Sequence, residues 1–271
     1  MKLFLTCVLL IVVVLMVLPC WADTPKQTVK IVFGTPNNSP YVMGEGTTIN
    51  WDFPGISLEL LRMVEKHLGL EFEYYRTVWP RGLYMIEHGD GDAIFPSSYR
   101  EERAEYALYP MKGNTPDPSK AIRTYAYWLY VRKDSGVTWD GQRIEHLNMP
   151  VASGLGNAIV ADLREEGYAV DDSPLNYASM LEMLFTKRVD AVAGEWRRMD
   201  REIAKDPERY SSIRRIDIPL REKNGYLMFS KHFAKEHAET MEQIWEMIRT
   251  IKASPEFEEI RQKYLSLQES E

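Results

Sequence analysis

Apolar residues recur along this chain in strand-like runs that alternate with stretches at helical spacing. Residues 28–35 (TVKIVFGT) form a β-rich run ending in a Pro/Gly/Asn loop that carries Tyr41, Trp51 and Phe53. Residues 56–69 repeat apolar side chains at Leu58, Leu61, Val64 and Leu68 and stop at Gly69, which predicts an amphipathic helix with a glycine C-cap. Residues 70–78 alternate as a strand does, 79–92 read as a short helix closed by glycines, and 93–98 as the next strand. Such a β-α-β-α-β series predicts a mainly parallel sheet covered on both faces, with ligands bound beyond the carboxyl ends of the strands. Those ends, at residues 35–41, 78–79 and 96–103, bring several aromatics and an arginine to one edge.

A polar Pro/Gly loop at 111–120 breaks the series, and a long strand-like run follows at 125–135. A second unit then repeats the logic: a strand meets a glycine turn and a helix over 149–168, VDAVAGE (189–195) echoes GDAIFPSS, and 211–220 adds a further strand. Two α/β lobes are therefore expected. The last stretch, 225–265, reads as one strand and two helices, with Met241, Ile244, Trp245, Ile248 and Ile251 on one stripe. Periodicity does not say which lobe that stripe covers.

The first residues have a different pattern. After Lys2, residues 3–18 are uncharged and apolar, and Pro19, Cys20, Trp21 and Ala22 precede the first acid, Asp23. This predicts a secretory signal peptide over 1–22, cleaved after Ala22, and hence an exported protein; lipoprotein processing at Cys20 is the alternative, disfavoured by Pro19. Both cysteines, Cys7 and Cys20, fall in the leader, so no disulfide, thiol nucleophile or thiolate metal site is expected in the mature chain. His67, His88, His146, His232 and His237 are not spaced as metal ligands, so neither metal nor cofactor is expected. A net charge of −7 with dispersed Lys and Arg gives no basic stripe and argues against nucleic acid.

The candidate chemistry centres on residues 92–110, where an apolar run stops at Ser97-Ser98 and a charged turn carrying Arg100 and Arg103 begins. Ser98-Tyr99-Arg100-Glu101 reads as a capping box, so backbone N–H groups, a hydroxyl and a guanidinium converge on a space suited to a carboxylate or phosphate. Gly154 to Asn157 (GLGN) lacks the third glycine of a dinucleotide motif and reads as a βα turn donating N–H groups to an anion. Neither Gly-x-Ser-x-Gly nor His-Glu-x-x-His occurs, so a hydrolase has no support.

The order of strand, Pro-Tyr loop, GISLELL helix, WPRGLYMIEHGDGDAI and ERAEYALYP resembles the family 3 extracellular solute-binding proteins, the periplasmic receptors of polar amino acid ABC importers. The resemblance covers essentially all of the mature chain. It implies a two-lobed periplasmic-binding-protein fold of type II with two hinge crossovers: lobe 1 at 24–122 with 222–271 returning to it, lobe 2 at 124–220. It also implies a monomer that captures an amino acid or similar small carboxylate-bearing solute and meets the membrane permease of an ABC importer. The carboxylate-binding arginine falls on Arg103, its hydroxyl partner on Ser98 and the aromatic wall on Trp79, with Tyr41 in the loop that usually contributes a second contact. The acid that holds an α-ammonium falls on Glu195, and the second-lobe helix N-terminus on Gly156 and Asn157. Three departures stand out: Arg100-Glu101-Glu102-Arg103 replaces a common Thr-Pro-Glu-Arg and adds Arg100 to the candidates, Gly156 replaces a threonine, and the acid is Glu rather than Asp. Two alternatives share the scaffold, a cyclohexadienyl-dehydratase-like enzyme in which Glu195 is a general acid and a solute sensor for a separate receptor.

Overall fold

The computed structural model describes residues 26–269; the leader expected at 1–22 and its cleavage site lie outside the described residues. Nine strands form one sheet: β1 (Thr28–Gly34), β2 (Glu71–Thr77), β3 (Ala93–Ser97), β4 (Ala107–Leu108), β5 (Arg123–Arg132), β6 (Val151–Ala152), β7 (Val170–Asp171), β8 (Ala191–Glu195) and β9 (Ile213–Ser230). Their order is β7-β6-β8-β5-β9-β3-β1-β2, with β4 also on β9. In the first lobe β1 pairs in parallel with β2 and β3, and the last part of β9 closes antiparallel on β3. In the second lobe β6 pairs in parallel with β7 and β8, and β8 runs antiparallel to β5.

The helices are α1 (Ile56–Leu68), α2 (Trp79–His88), α3 (Glu101–Ala104), α4 (Ala158–Glu165), α5 (Tyr177–Phe185), α6 (Trp196–Ala204), α7 (Lys231–Lys252) and α8 (Pro255–Glu269). α1 buries Leu58, Leu61 and Val64 and ends at Gly69 in the left-handed conformation (φ 66°), as its periodicity and glycine require. Two readings change. The capping box does not form: Arg100, not Ser98, is the N-cap of α3, and no side chain caps that helix. The loop at 111–120 contains a short hairpin, Met111–Lys112 against Thr115–Pro116.

Each lobe has its own core. In the first, Ile31, Phe33, Leu58 and Leu61 pack with the stripe Met241, Ile244, Trp245, Ile248 and Ile251 of α7, so the C-terminal helices belong to this lobe. Trp245 also donates its indole N–H to the Leu227 carbonyl at 2.7 Å. In the second, Leu129, Val131, Val151 and Ile159 cluster on one sheet face, and Tyr130, Met180, Leu184 and Met199 on the other. The lobes are joined where β5 and β9 cross side by side, Arg123 opposite Gly225 and Tyr125 opposite Lys223. β9 is a single strand of 18 residues where the sequence shows two separate runs; it leaves the second sheet and enters the first.

Candidate functional site

Between the lobes lies a cavity of about 120 Å3. Its first-lobe wall comes from the carboxyl ends of β1, β2 and β3 and the start of α2 (Thr35, Trp79, Pro96), together with Arg103. The opposite wall comes from the turn before α4, the start of α5 and the end of β8 (Leu155, Asn157, Tyr177, Glu195), together with Arg198. Arg123, Tyr125 and Tyr127 on β5 close the hinge side. The connectivity of parallel α/β units thus gathers loops from both sheets at one crevice.

The loop after β1 is held open for this purpose by Arg76 at the end of β2. The residue is 3% exposed, and its guanidinium donates to five backbone carbonyls: Gly34, Thr35, Met43, Gly44 and Thr48, at 2.6–3.4 Å. Every N–H of the fork has a partner, which only arginine supplies. Burial lowers its affinity for a proton, with Glu45 opposing that effect.

Arg103 sits at the edge of the cavity and spans the lobes. It donates to the Ser98 carbonyl at 3.0 Å within its own lobe and to the Gly156 carbonyl of the second lobe at 2.7 Å. Its guanidinium carbon stands 5.8 Å from the Trp79 ring centroid, and the Trp79 indole N–H donates to the same Gly156 carbonyl at 3.1 Å. Gly156 has φ +75°, and a Cβ there would sit 3.3 Å from Trp79 Cδ1. A glycine lets the turn bend its carbonyl towards the first lobe while the backbone presses on the indole.

Glu195 is the last residue of β8 and is 4% exposed. Arg123 donates to both of its oxygens, at 2.9 and 3.2 Å, and Asn38 donates to Oε2 at 3.3 Å. Arg198 Nε lies 3.6 Å from Oε2. Burial by itself would raise the Glu195 carboxyl, but Arg123 and Arg198 outweigh it and hold the group below the ordinary glutamate range. Arg123 lies over the rings of Tyr41 and Tyr125, 4.6 and 4.8 Å from their centroids.

The residues singled out in the sequence therefore divide. Arg103, Trp79, Asn157 and Glu195 line the cavity. The Gly156 carbonyl accepts the Trp79 and Arg103 bonds rather than facing an anion, and the Asn157 N–H closes the turn on the Gly154 carbonyl at 3.0 Å. Ser98 spends its hydroxyl on Tyr125 at 2.5 Å, and Tyr41 stands behind Arg123. Arg100 points away from the cavity: it donates to Asp162 at 2.7 Å and Glu165 at 2.8 Å on α4, and to Glu102 at 3.1 Å. Burial opposes its charge, and Glu102 and Glu165 restore and strengthen it.

Three arginines escaped the sequence reading. Arg76 lies inside an alternating strand pattern and looks like a solvated position. Arg123 opens β5, and its role depends on a residue 72 positions away. Arg198 had a usable signal, because it follows Glu195 by three positions at a helix start, which places the two side chains together. Among the described residues no group of three or more His, Cys, Asp and Glu side chains is placed to hold a metal ion.

Two α/β lobes, joined by paired crossover strands and closed on a small arginine-lined cleft, define the type II periplasmic-binding-protein fold. The family model for bacterial extracellular solute-binding proteins, family 3, matches residues 31–267, and the chain belongs to that family. No curated protein matches it. Among solved structures, a histidine kinase sensor domain with similarity to periplasmic binding proteins superposes with a TM-score of 0.69 at 17% identity, over 89% of this chain and 98% of that one. An ancestral arginine-binding protein bound to arginine gives 0.63 at 15%, over 89% and 99%. A putative L-cystine ABC transporter from Listeria monocytogenes gives 0.63 at 16%, over 88% and 96%. At these identities the likeness shows the fold.

Proposed function

We propose that this protein is a periplasmic receptor that encloses a small carboxylate-bearing solute between its lobes and passes it to the permease of an ABC importer. The observation that carries the reading is Arg103, a buried guanidinium on the cavity wall that already reaches across to the second lobe. Its planar fork suits a carboxylate, and a ligand gripped from both lobes favours the closed state by the energy it gains only there. Trp79 backs that guanidinium. Glu195 supports binding rather than elimination chemistry: a carboxyl held below its ordinary range has no proton to give as a general acid at neutral pH.

The test is thermal shift of the purified protein against a broad panel of amino acids, mono- and dicarboxylates and prephenate, beside Arg103→Met. A saturable rise in melting temperature with at least one carboxylate, lost in the variant, is the expected result. Conversion of the bound compound in the same tubes, or no response across the whole panel, would refute it.

A further inference from the structure

The charges around the cleft do not balance. Arg103, Arg123 and Arg198 line it, and among its described lining residues Glu195 is the one carboxylate, so the wall carries three positive charges against one negative. Glu195 is also fully engaged. Arg123 takes both oxygens, Asn38 donates to Oε2, and Arg198 Nε stands beside that same oxygen. An arriving ammonium would have to displace one of these groups and would meet guanidiniums on either side. The displaced arginine would be left buried without its counter-charge, the costliest arrangement for an ion pair. Arg198 is held more loosely than Arg123: its Nε lies 3.6 Å from Glu195 Oε2, an ion pair but not a hydrogen bond, and its guanidinium also meets the Tyr177 side chain.

We infer that the solute is a short dicarboxylate without an α-ammonium group, one carboxylate taken by Arg103 from the first lobe and the other by Arg198 from the second. This rests on the receptor reading above and narrows it. Glu195 then serves as the counter-ion that orients Arg123 and Arg198, not as a ligand anchor. The rest of the lining favours a carbon skeleton over a compact oxyanion: Pro96, Tyr125, Tyr127, Tyr177 and Met180 present mainly carbon surface. A phosphate or sulfate would leave oxygens against these walls unpaired, whereas methylene groups bury there favourably.

Isothermal titration calorimetry with succinate, glutarate, L-aspartate, L-glutamate and inorganic phosphate, on the unaltered protein, Arg198→Met and Arg103→Met, decides the matter. Succinate or glutarate should bind at least tenfold more tightly than the amino acid of equal carbon number, and should lose at least tenfold in Arg198→Met. The comparison within the unaltered protein needs no variant to fold. Aspartate or glutamate binding as tightly as its dicarboxylate, with dependence on Arg103, would overturn the inference and leave the receptor reading standing. Phosphate binding more tightly than both dicarboxylates would overturn the carbon-skeleton assignment. If all five probes fail while another carboxylate in the broad panel binds, the inference alone falls; failure across the whole panel removes both.

Discussion

Removing Arg100 should loosen closure without touching the cleft. Its side chain is 9% exposed and ties α3 of the first lobe to Asp162 and Glu165 of the second. Asp162 is itself only 13% exposed, so that bond is partly desolvated and worth about 1.5–3 kcal/mol. Glu165 is 69% exposed, and its share is at most ~0.5 kcal/mol after solvent screening. Asp162 keeps Lys223 at 2.5 Å, so Arg100→Ala does not strand a buried charge. The closed state should therefore lose about 2 kcal/mol relative to the open one, a factor of roughly 30 in the closing equilibrium. The apparent Kd for the bound carboxylate then rises by about half that factor from a poised resting state and by the whole of it from a mainly open one, because the fraction competent to bind falls. Small-angle scattering of the saturated protein and a titration of Arg100→Ala, Asp162→Ala and the double variant would measure it. A coupling energy below about 0.5 kcal/mol, or a Kd within threefold of the unaltered protein, would refute the latch argument.

Other consequences follow from single groups. Arg76→Ala should cost roughly 3–5 kcal/mol in denaturant unfolding, since five buried carbonyls lose their donor at once; a loss under 1 kcal/mol would show that water replaces it freely. Gly156→Ala places a Cβ 3.3 Å from Trp79 Cδ1 and 3.4 Å from Leu83 Cδ1, contacts made across the closed cleft, so affinity should fall about fivefold, ~1 kcal/mol, beyond any change in melting temperature. The Glu195 carboxyl is held below its unfolded value, so its contribution is present above about pH 4.5 and is lost as pH falls through the folded value. Glu195→Gln should therefore flatten the acid limb of the stability profile below about pH 4.5, which pH-dependent denaturant melts would reveal as a shallower slope.

Legibility in the sequence tracked the range of the interaction that decides each feature. α1 is set by neighbours three and four positions away and by Gly69, and it could be read from 14 consecutive residues (56–69). The C-terminal stripe was legible as a stripe, but its partner lobe was not, because what fixes it is contact with residues such as Phe33 and Leu58 some 200 positions earlier. The cleft arginine followed from strand and helix order; the Ser98 hydroxyl did not, since its partner, the Tyr125 hydroxyl, lies 27 positions on and is reached only after the hinge is built. Arg100 was drawn to the cavity by sequence adjacency to Arg103. In space the extended backbone at its N-cap position turns it towards α4 instead.

The same geometry suggests why closure should be gated by charge. In the closed cleft Arg103 and Arg198 line opposite walls, and for charges ~10 Å apart, the span a short dicarboxylate bridges, their mutual repulsion opposes approach by an amount of order 0.5–2 kcal/mol. The Arg100–Asp162 latch and the Asn38 bond to Glu195 pull the other way by a similar amount. Opposing contributions of this size leave the ligand-free equilibrium poised, so a modest differential affinity moves most of the population. A dianion reverses the sign of the repulsive contribution and adds its own hydrogen bonds; a zwitterion cancels less of it. Raising ionic strength from 0.05 to 0.5 M should therefore compact the ligand-free protein, because screening weakens repulsion between the cleft cations more than it weakens the buried latch. Small-angle scattering that shows expansion instead would mean that the latch, not the cleft charge, sets the resting state.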